Sequence, residues 1–154
     1  MVGLYPHMEI LMSDLKDKFP IALSQELVWG DMDAFQHINN TVYFRYFEDA
    51  RIAYFEKANL IKYREKTQLG PILASTSCNF RAPLTFPDTI QIAASVEKLR
   101  SKTFKMKYVI YSERLDRVAA DGEGLIVFYD YQRGQSCEIP KSVLAAIHNI
   151  QKNK

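Results

Sequence analysis

Trp29 to Leu60 reads WGDMDAFQHINNTVYFRYFEDARIAYFEKANL. It opens as a tight polar loop with two carboxylates, Asp31 and Asp33, a histidine, His37, and two asparagines, Asn39 and Asn40. The remainder sets Tyr43, Tyr46, Phe47, Ala50, Ala53, Tyr54 and Ala58 at the i, i+3, i+4, i+7 spacing of a helix face. Val42, Phe44, Ile52 and Phe55 extend the apolar surface well beyond one stripe. A helix hydrophobic most of the way round has to be wrapped by the rest of the chain, not merely laid on it. From Thr41 to Ala58 it runs roughly 27 Å at 1.5 Å per residue, the width of a small domain.

Upstream, Met8, Leu11, Leu15 and Phe19 fall at helical spacing, and Pro20 stops the run. Residues 1–20 read as a short amphipathic helical lead packed on the body of the protein. Its mixed charges argue against a basic membrane-surface helix. Ile21 to Trp29 alternates loosely and reads as a first strand. After the central helix, Lys62 to Gln68 reads as polar linker, punctuated by Gly70-Pro71.

From Ile72 onward the period becomes two. Ile72, Ala74, Thr76, Cys78 and Phe80 share one face of a long strand that Pro83 and Pro87 break. Ile90 to Val96, Phe104 to Ile110 and Ala119 to Tyr129 alternate in the same way, with Glu113 to Arg117 as a turn and Arg133-Gly134 as the last stop. Pro140 opens a final helix with Val143, Leu144, Ile147 and Ile150 facing inward. Long strands joined by short turns make an antiparallel meander. The expectation is an α+β fold, a curved antiparallel sheet of about five strands wrapped around one long central helix. Residues 21–154 form a single domain. One such sheet leaves a broad face and its edge strands uncovered, which dimerisation would remedy.

Composition narrows the function. The 154 residues are 47% hydrophobic and 25% charged, ordinary for a soluble globular chain, and a net charge of +2 is too balanced for a nucleic-acid partner. No apolar run approaches membrane-spanning length, and the N-terminus lacks the apolar core of a signal peptide. Cys78 and Cys137 have no metal-ligand spacing and read as two free thiols. The expected location is cytoplasmic.

The run W-G-D-M-D-A-F-Q-H-I-N-N, with the aromatic helix ending in Ala50-Arg51, resembles the signature of the hot-dog fold acyl-CoA thioesterases of the 4-hydroxybenzoyl-CoA thioesterase type. Asn79 to Thr89, Gly124 to Tyr129 and Glu138-Ile139-Pro140 resemble later segments of that family in the right order. The likeness spans roughly residues 22 to 150. It implies hydrolysis of an acyl-CoA thioester to free acid and CoA with no metal or other cofactor, in a homodimer or a homotetramer built as a dimer of dimers. The family's catalytic carboxylate falls on Asp33, and its oxyanion-binding backbone N–H falls near Asn40, with Thr41 next. Asp31, His37 and Asn39 are expected to support or contact substrate. Gln36 departs from the family, which usually has glycine there; if that glycine serves a left-handed turn, glutamine strains the loop by about 1 kcal/mol or more.

Elementary chemistry agrees with this assignment. A helix N-terminus offers unpaired N–H groups and partial positive charge to an oxyanion developing on a thioester carbonyl. A carboxylate beside it can act as nucleophile or as general base, and sequence leaves that choice open. Asp31, Asp33, His37, Asn39 and Asn40 are also favoured turn and cap residues, so structural roles stand beside the chemical ones. Glu48 and Asp49 are alternative acids on the helix, or partners of Arg45 and Arg51. The basic run Lys98, Arg100, Lys102, Lys105 and Lys107, with Arg81 and Arg133, is a candidate anchor for coenzyme A phosphates or simply a solvated face. Two rival readings remain: an acyl-carrier-protein thioesterase, and a non-catalytic acyl-thioester-binding protein of the same fold.

Overall fold

The computed structural model describes residues 10–153, so Met8 lies outside the described residues. Helix α1 (Met12–Lys18) leads into β1 (Ile21–Glu26), and a 3₁₀ turn at Trp29–Asp31 precedes α2 (Asn40–Lys57). Then come α3 (Leu60–Thr67), β2 (Leu69–Phe80), β3 (Thr89–Glu97), β4 (Thr103–Ser112), β5 (Arg117–Asp130), the two-residue β6 (Gln135–Ser136) and α4 (Lys141–Lys152). The strands pair antiparallel in the order β1-β3-β4-β5-β2, with β6 against the end of β5. This is the curled half-barrel sheet around a helix that the periodicities predict.

The core lies between α2 and the concave face of the sheet. Tyr46, Phe47, Ala50 and Tyr54 of α2 meet Ile90, Ile92 and Ala94 of β3, Phe104, Met106, Tyr108 and Ile110 of β4, and Ala120, Ile126 and Phe128 of β5, all buried. Each large side chain so buried contributes roughly 1.5–3 kcal/mol of transfer free energy. At the far end, Val143, Ile147 and Ile150 of α4 close the core, and the α4 residue Gln151 accepts from the Tyr54 hydroxyl (2.8 Å) and the Val96 backbone N–H (3.1 Å). The convex face is partly covered by α1, whose Leu15, with Ile10 and Phe19, packs on Ala93, Val109 and Tyr111.

Three expectations need correction. Lys62 to Gln68 is not linker but the body of α3, because Leu60 is buried and anchors a polar helix whose last residue is followed by Gln68 in left-handed backbone (φ 60°). Gly70 and Pro71 do not punctuate: both lie inside β2, an edge strand, where a missing N–H costs no ladder bond on the open side. The central helix is not wrapped all the way round, since Thr41, Arg45, Glu48, Ile52 and Glu56 form an exposed stripe beside the mostly exposed β2.

Candidate active site

The loop that precedes α2 is held by its own backbone. Asp31 N–H donates to the Val28 carbonyl (3.0 Å), Asp33 N–H to the His37 carbonyl (3.0 Å) and Gln36 N–H to the Asp33 carbonyl (2.9 Å), while Met32 and Ile38 form a bridge across the loop. Gln36 adopts φ 61°, so the glutamine at the family's glycine position does take the left-handed conformation the turn needs. The loop is pinned to the body by Ile38 N–H on the Leu84 carbonyl (2.8 Å), and Leu84 N–H in turn donates to the Tyr43 hydroxyl (3.3 Å).

Asp33 is half-buried at the mouth of this turn. Its Oδ1 accepts the Phe35 backbone N–H (2.9 Å), a turn-forming bond typical of aspartate, and its Oδ2 accepts a long bond from Asn39 Nδ2 (3.4 Å). Asn39 is the N-cap of α2: its Oδ1 accepts both the Thr41 backbone N–H (3.0 Å) and the Thr41 hydroxyl (2.8 Å). The cap therefore consumes the amide of Thr41 and leaves that of its neighbour open. Among the described residues the Asn40 backbone N–H has no protein acceptor, and Asn40 is exposed. Carboxylate and open helix amide share one short loop, as the chemistry requires.

The other expected residues divide. Asp31 is half-buried, and its backbone carbonyl accepts from Asn39 N–H (3.0 Å). Burial and then the Asp31 carboxylate push the phenol of buried Tyr46 well above its ordinary pKa. That phenol oxygen is the one fully buried side-chain polar atom without a hydrogen-bond partner among the described residues. The His37 side chain is exposed. Arg81 lies just after β2, at this end of the sheet, but is engaged by Asp121 through Nε (2.6 Å) and Nη2 (3.3 Å). Arg100 and Lys102 sit in the β3–β4 turn, at the opposite end of the sheet from Thr89, roughly 25 Å away along a nine-residue strand. Within one chain they do not join the loop. Lys105 and Lys107 pair with Glu123 (2.9 Å) and Glu97 (3.9 Å).

Sequence reading did not anticipate the rim of this site. Trp29 is 70% and Phe35 is 83% exposed, and Val28 is exposed as well, so the loop presents an apolar surface to the outside. The available signal was two large aromatic residues, Trp29 and Phe35, within one short polar loop. Beyond the loop, a cavity of about 240 Å³ opens between α2 and β2, starting at Phe44 and Arg45, one turn into the helix. Burial holds the Cys78 thiol up at about 12, with the Asp121 carboxylate adding to it, which rules it out as a thiolate nucleophile near neutral pH. Among the described residues no three His, Cys, Asp or Glu side chains gather where a metal ion could be held.

A family model described as the thioesterase-like superfamily matches residues 27–147. The long-chain acyl-CoA thioesterase FadM of Escherichia coli (strain K12) is 27% identical over 97 residues, covering 63% of this chain and 72% of FadM. A thioesterase of Thermus thermophilus, solved with coenzyme A and zinc, superposes with a TM-score of 0.78 at 21% identity, over 88% of this chain and 97% of that one. A protein of Staphylococcus aureus, SAV2348, solved in complex with CoA, gives a TM-score of 0.79 at 16% identity, over 86% and 84%.

Proposed function

This chain belongs to the thioesterase-like superfamily, and from that premise we propose that it hydrolyses acyl-CoA thioesters to the free acid and coenzyme A. The observation that carries the reading is that the half-buried Asp33 carboxylate, held by the N-cap Asn39, and the uncapped Asn40 N–H belong to one short loop at the start of α2. The likeness to FadM favours a CoA thioester over a carrier-protein thioester.

The thioester carbonyl is seated on the Asn40 N–H, where the aligned peptide dipoles of α2 favour the negative charge that develops on oxygen. One such donor is typically worth about 3 kcal/mol in the transition state. Asp33 then either adds to the carbonyl carbon, giving a mixed anhydride that water cleaves, or removes a proton from an attacking water. In both routes the carbonyl carbon–sulfur bond breaks and the thiolate leaves readily, so no strong acid is needed beside sulfur. Asp31 and Asn39 hold the loop; His37, exposed at the mouth, is positioned to meet substrate.

The apolar rim at Val28, Trp29 and Phe35 and the open edge of β2 support a homodimer that completes the site. A dimer would also give Arg100 and Lys102 a route to a neighbouring site that they lack in one chain. The test is a panel of acyl-CoA thioesters with thiol release followed, alongside acyl-carrier-protein thioesters of the same chains. Turnover of the CoA series, inhibited by free CoA, supports the proposal. Ligand binding without thiol release would instead assign a binding protein, and turnover restricted to the carrier series would transfer the activity to the carrier thioester.

A further inference from the structure

The cavity between α2 and β2 is lined by Phe44, Arg45, Glu48, Arg51, Leu73 and Thr76. Arg51 is unusual there: it is 8% exposed, among the residues of α2 that are otherwise buried by apolar contact. Its Nη1 donates to the Tyr108 hydroxyl at 3.2 Å, and its Nη2 lies 3.9 Å from Glu48 Oε2, beyond hydrogen-bond length. A buried guanidinium ordinarily meets a carboxylate in a two-point bond. Here it has a neutral phenol and the edge of a largely exposed acid. The lining counts two guanidinium groups, Arg45 and Arg51, against one carboxylate, Glu48. Asp49 lies within electrostatic reach of Arg45, which leaves Arg51 as the guanidinium with no carboxylate at hydrogen-bond length.

The space is built by the sequence. Gly122 and Gly124 of β5 lie between β2 and Tyr108. A Cβ at Gly124 would come 3.0 Å from the Tyr108 hydroxyl and 3.2 Å from Leu73, and one at Gly122 would come 2.5 Å from the Phe47 ring. Two missing side chains let Tyr108 stack on Phe47 (4.7 Å between centroids) and lean over to hold Arg51.

We propose that this cavity receives the far end of the acyl group, and that Arg51 selects substrates whose acyl chain ends in a carboxylate. The inference rests on the thioesterase reading above. Arg51 reaches back toward the helix N-terminus, as long helical side chains do and as its approach to Glu48 shows. That leaves roughly 10 Å between guanidinium and the Asn40 N–H on a helix rising 1.5 Å per residue. With a hydrogen bond at each end, an acyl chain of about five or six carbons spans the gap. The substrate class is then the CoA monothioester of a short dicarboxylic acid.

The experiment compares glutaryl-CoA with valeryl-CoA and adipyl-CoA with hexanoyl-CoA, pairs equal in chain length. The expected result is a preference of at least about tenfold in kcat/KM for the carboxylate-ended member of each pair, collapsing in Arg51→Gln and partly restored in Arg51→Lys. Glu48→Gln should widen it. Equal or reversed ratios in the wild type, or a preference that survives Arg51→Gln, would overturn the proposal. Calorimetric binding of free glutarate against valerate to the full chain provides a second arm that needs no turnover. If no acyl-CoA is hydrolysed but glutarate still binds through Arg51, the proposed activity fails and the anion pocket stands. Size-exclusion chromatography of Arg51→Gln closes the set, because a shift to monomer would mean that a second copy supplies the missing charge.

Discussion

Asn39 donates from Nδ2 to Asp33 Oδ2 at 3.4 Å, so the residue that caps α2 also touches the candidate catalytic acid. Asp33→Asn keeps an oxygen for the Phe35 N–H and so preserves the turn. It removes the charge and, by placing an NH2 opposite Asn39 Nδ2, the long 3.4 Å bond from that donor. We expect kcat to fall by at least about 100-fold with stability nearly unchanged. Steady-state thiol release beside a denaturation curve checks this; undiminished turnover in a folded variant would move the catalytic role to Glu48 or Asp49.

Asn40→Pro removes one specific hydrogen-bond donor. Proline is well accommodated at the first helical position, and Asn39 already has the extended backbone (φ −60°, ψ 144°) that a residue before proline prefers. The helix should form normally, while loss of the N–H lowers kcat by about 10²–10³-fold. Asn40→Ala, which keeps the N–H, should retain most activity. Circular dichroism and kinetics of the two variants together give the answer.

Gln36 sits at φ 61°, a conformation that costs a non-glycine residue about 1 kcal/mol or more. Gln36→Gly should raise stability by up to about 1 kcal/mol, the relief of strain being partly offset by the freer unfolded chain. Urea midpoints measure it. A destabilised variant would mean that the glutamine side chain makes compensating contacts.

Gly122→Ala is the opposite case. Its Cβ would lie 2.3 Å from the Ser77 carbonyl oxygen and 2.5 Å from the Phe47 ring. The backbone oxygen cannot yield cheaply, so we expect a loss of about 3 kcal/mol or failure to fold. Gly30→Ala, with nothing within 4 Å, should be almost silent and serves as control.

Cys78 gives a pH signature. Its native pKa, pushed up to about 12 by burial and by Asp121, stands above the unfolded value of about 8.5. The native state therefore keeps a proton that the unfolded chain releases. This contribution to stability is fully present below about pH 8 and is lost as pH rises toward 12. Cys78→Ala should flatten the alkaline limb of the stability curve. Alkylation of Cys78 in the native protein at pH 8 should be more than about 100-fold slower than that of a free cysteine.

Much of this molecule was legible in its residues. The period-two runs from Ile90 to Tyr129 and the apolar ring of Tyr46, Phe47, Ala50 and Tyr54 led directly to β3, β4, β5 and α2, because burial on a defined face is what sets those patterns. Helix α3 was missed since a short polar helix whose apolar residues, Leu60, Ile61 and Tyr63, crowd its first turn has no stripe to detect. The loop from Asp31 to Asn40 was recognisable by spacing, yet its division of labour was not. That Thr41 spends its amide on the cap while Asn40 does not depends on a side-chain rotation of Asn39. The basic residues divide for a topological reason: Arg100 and Lys102 look like part of one cluster with Arg81, but antiparallel turns send them to opposite ends of the sheet within one chain.

Helix α1 and strand β2 together restrict how this protein can grow. With Leu15 and Phe19 seated on Ala93, Val109 and Tyr111, part of the rear of the sheet is already roofed. The twelve residues of β2 have a neighbour on one side only. A strand added at that open edge would lengthen the same sheet sideways and set its own helix beside α2 on a shared floor.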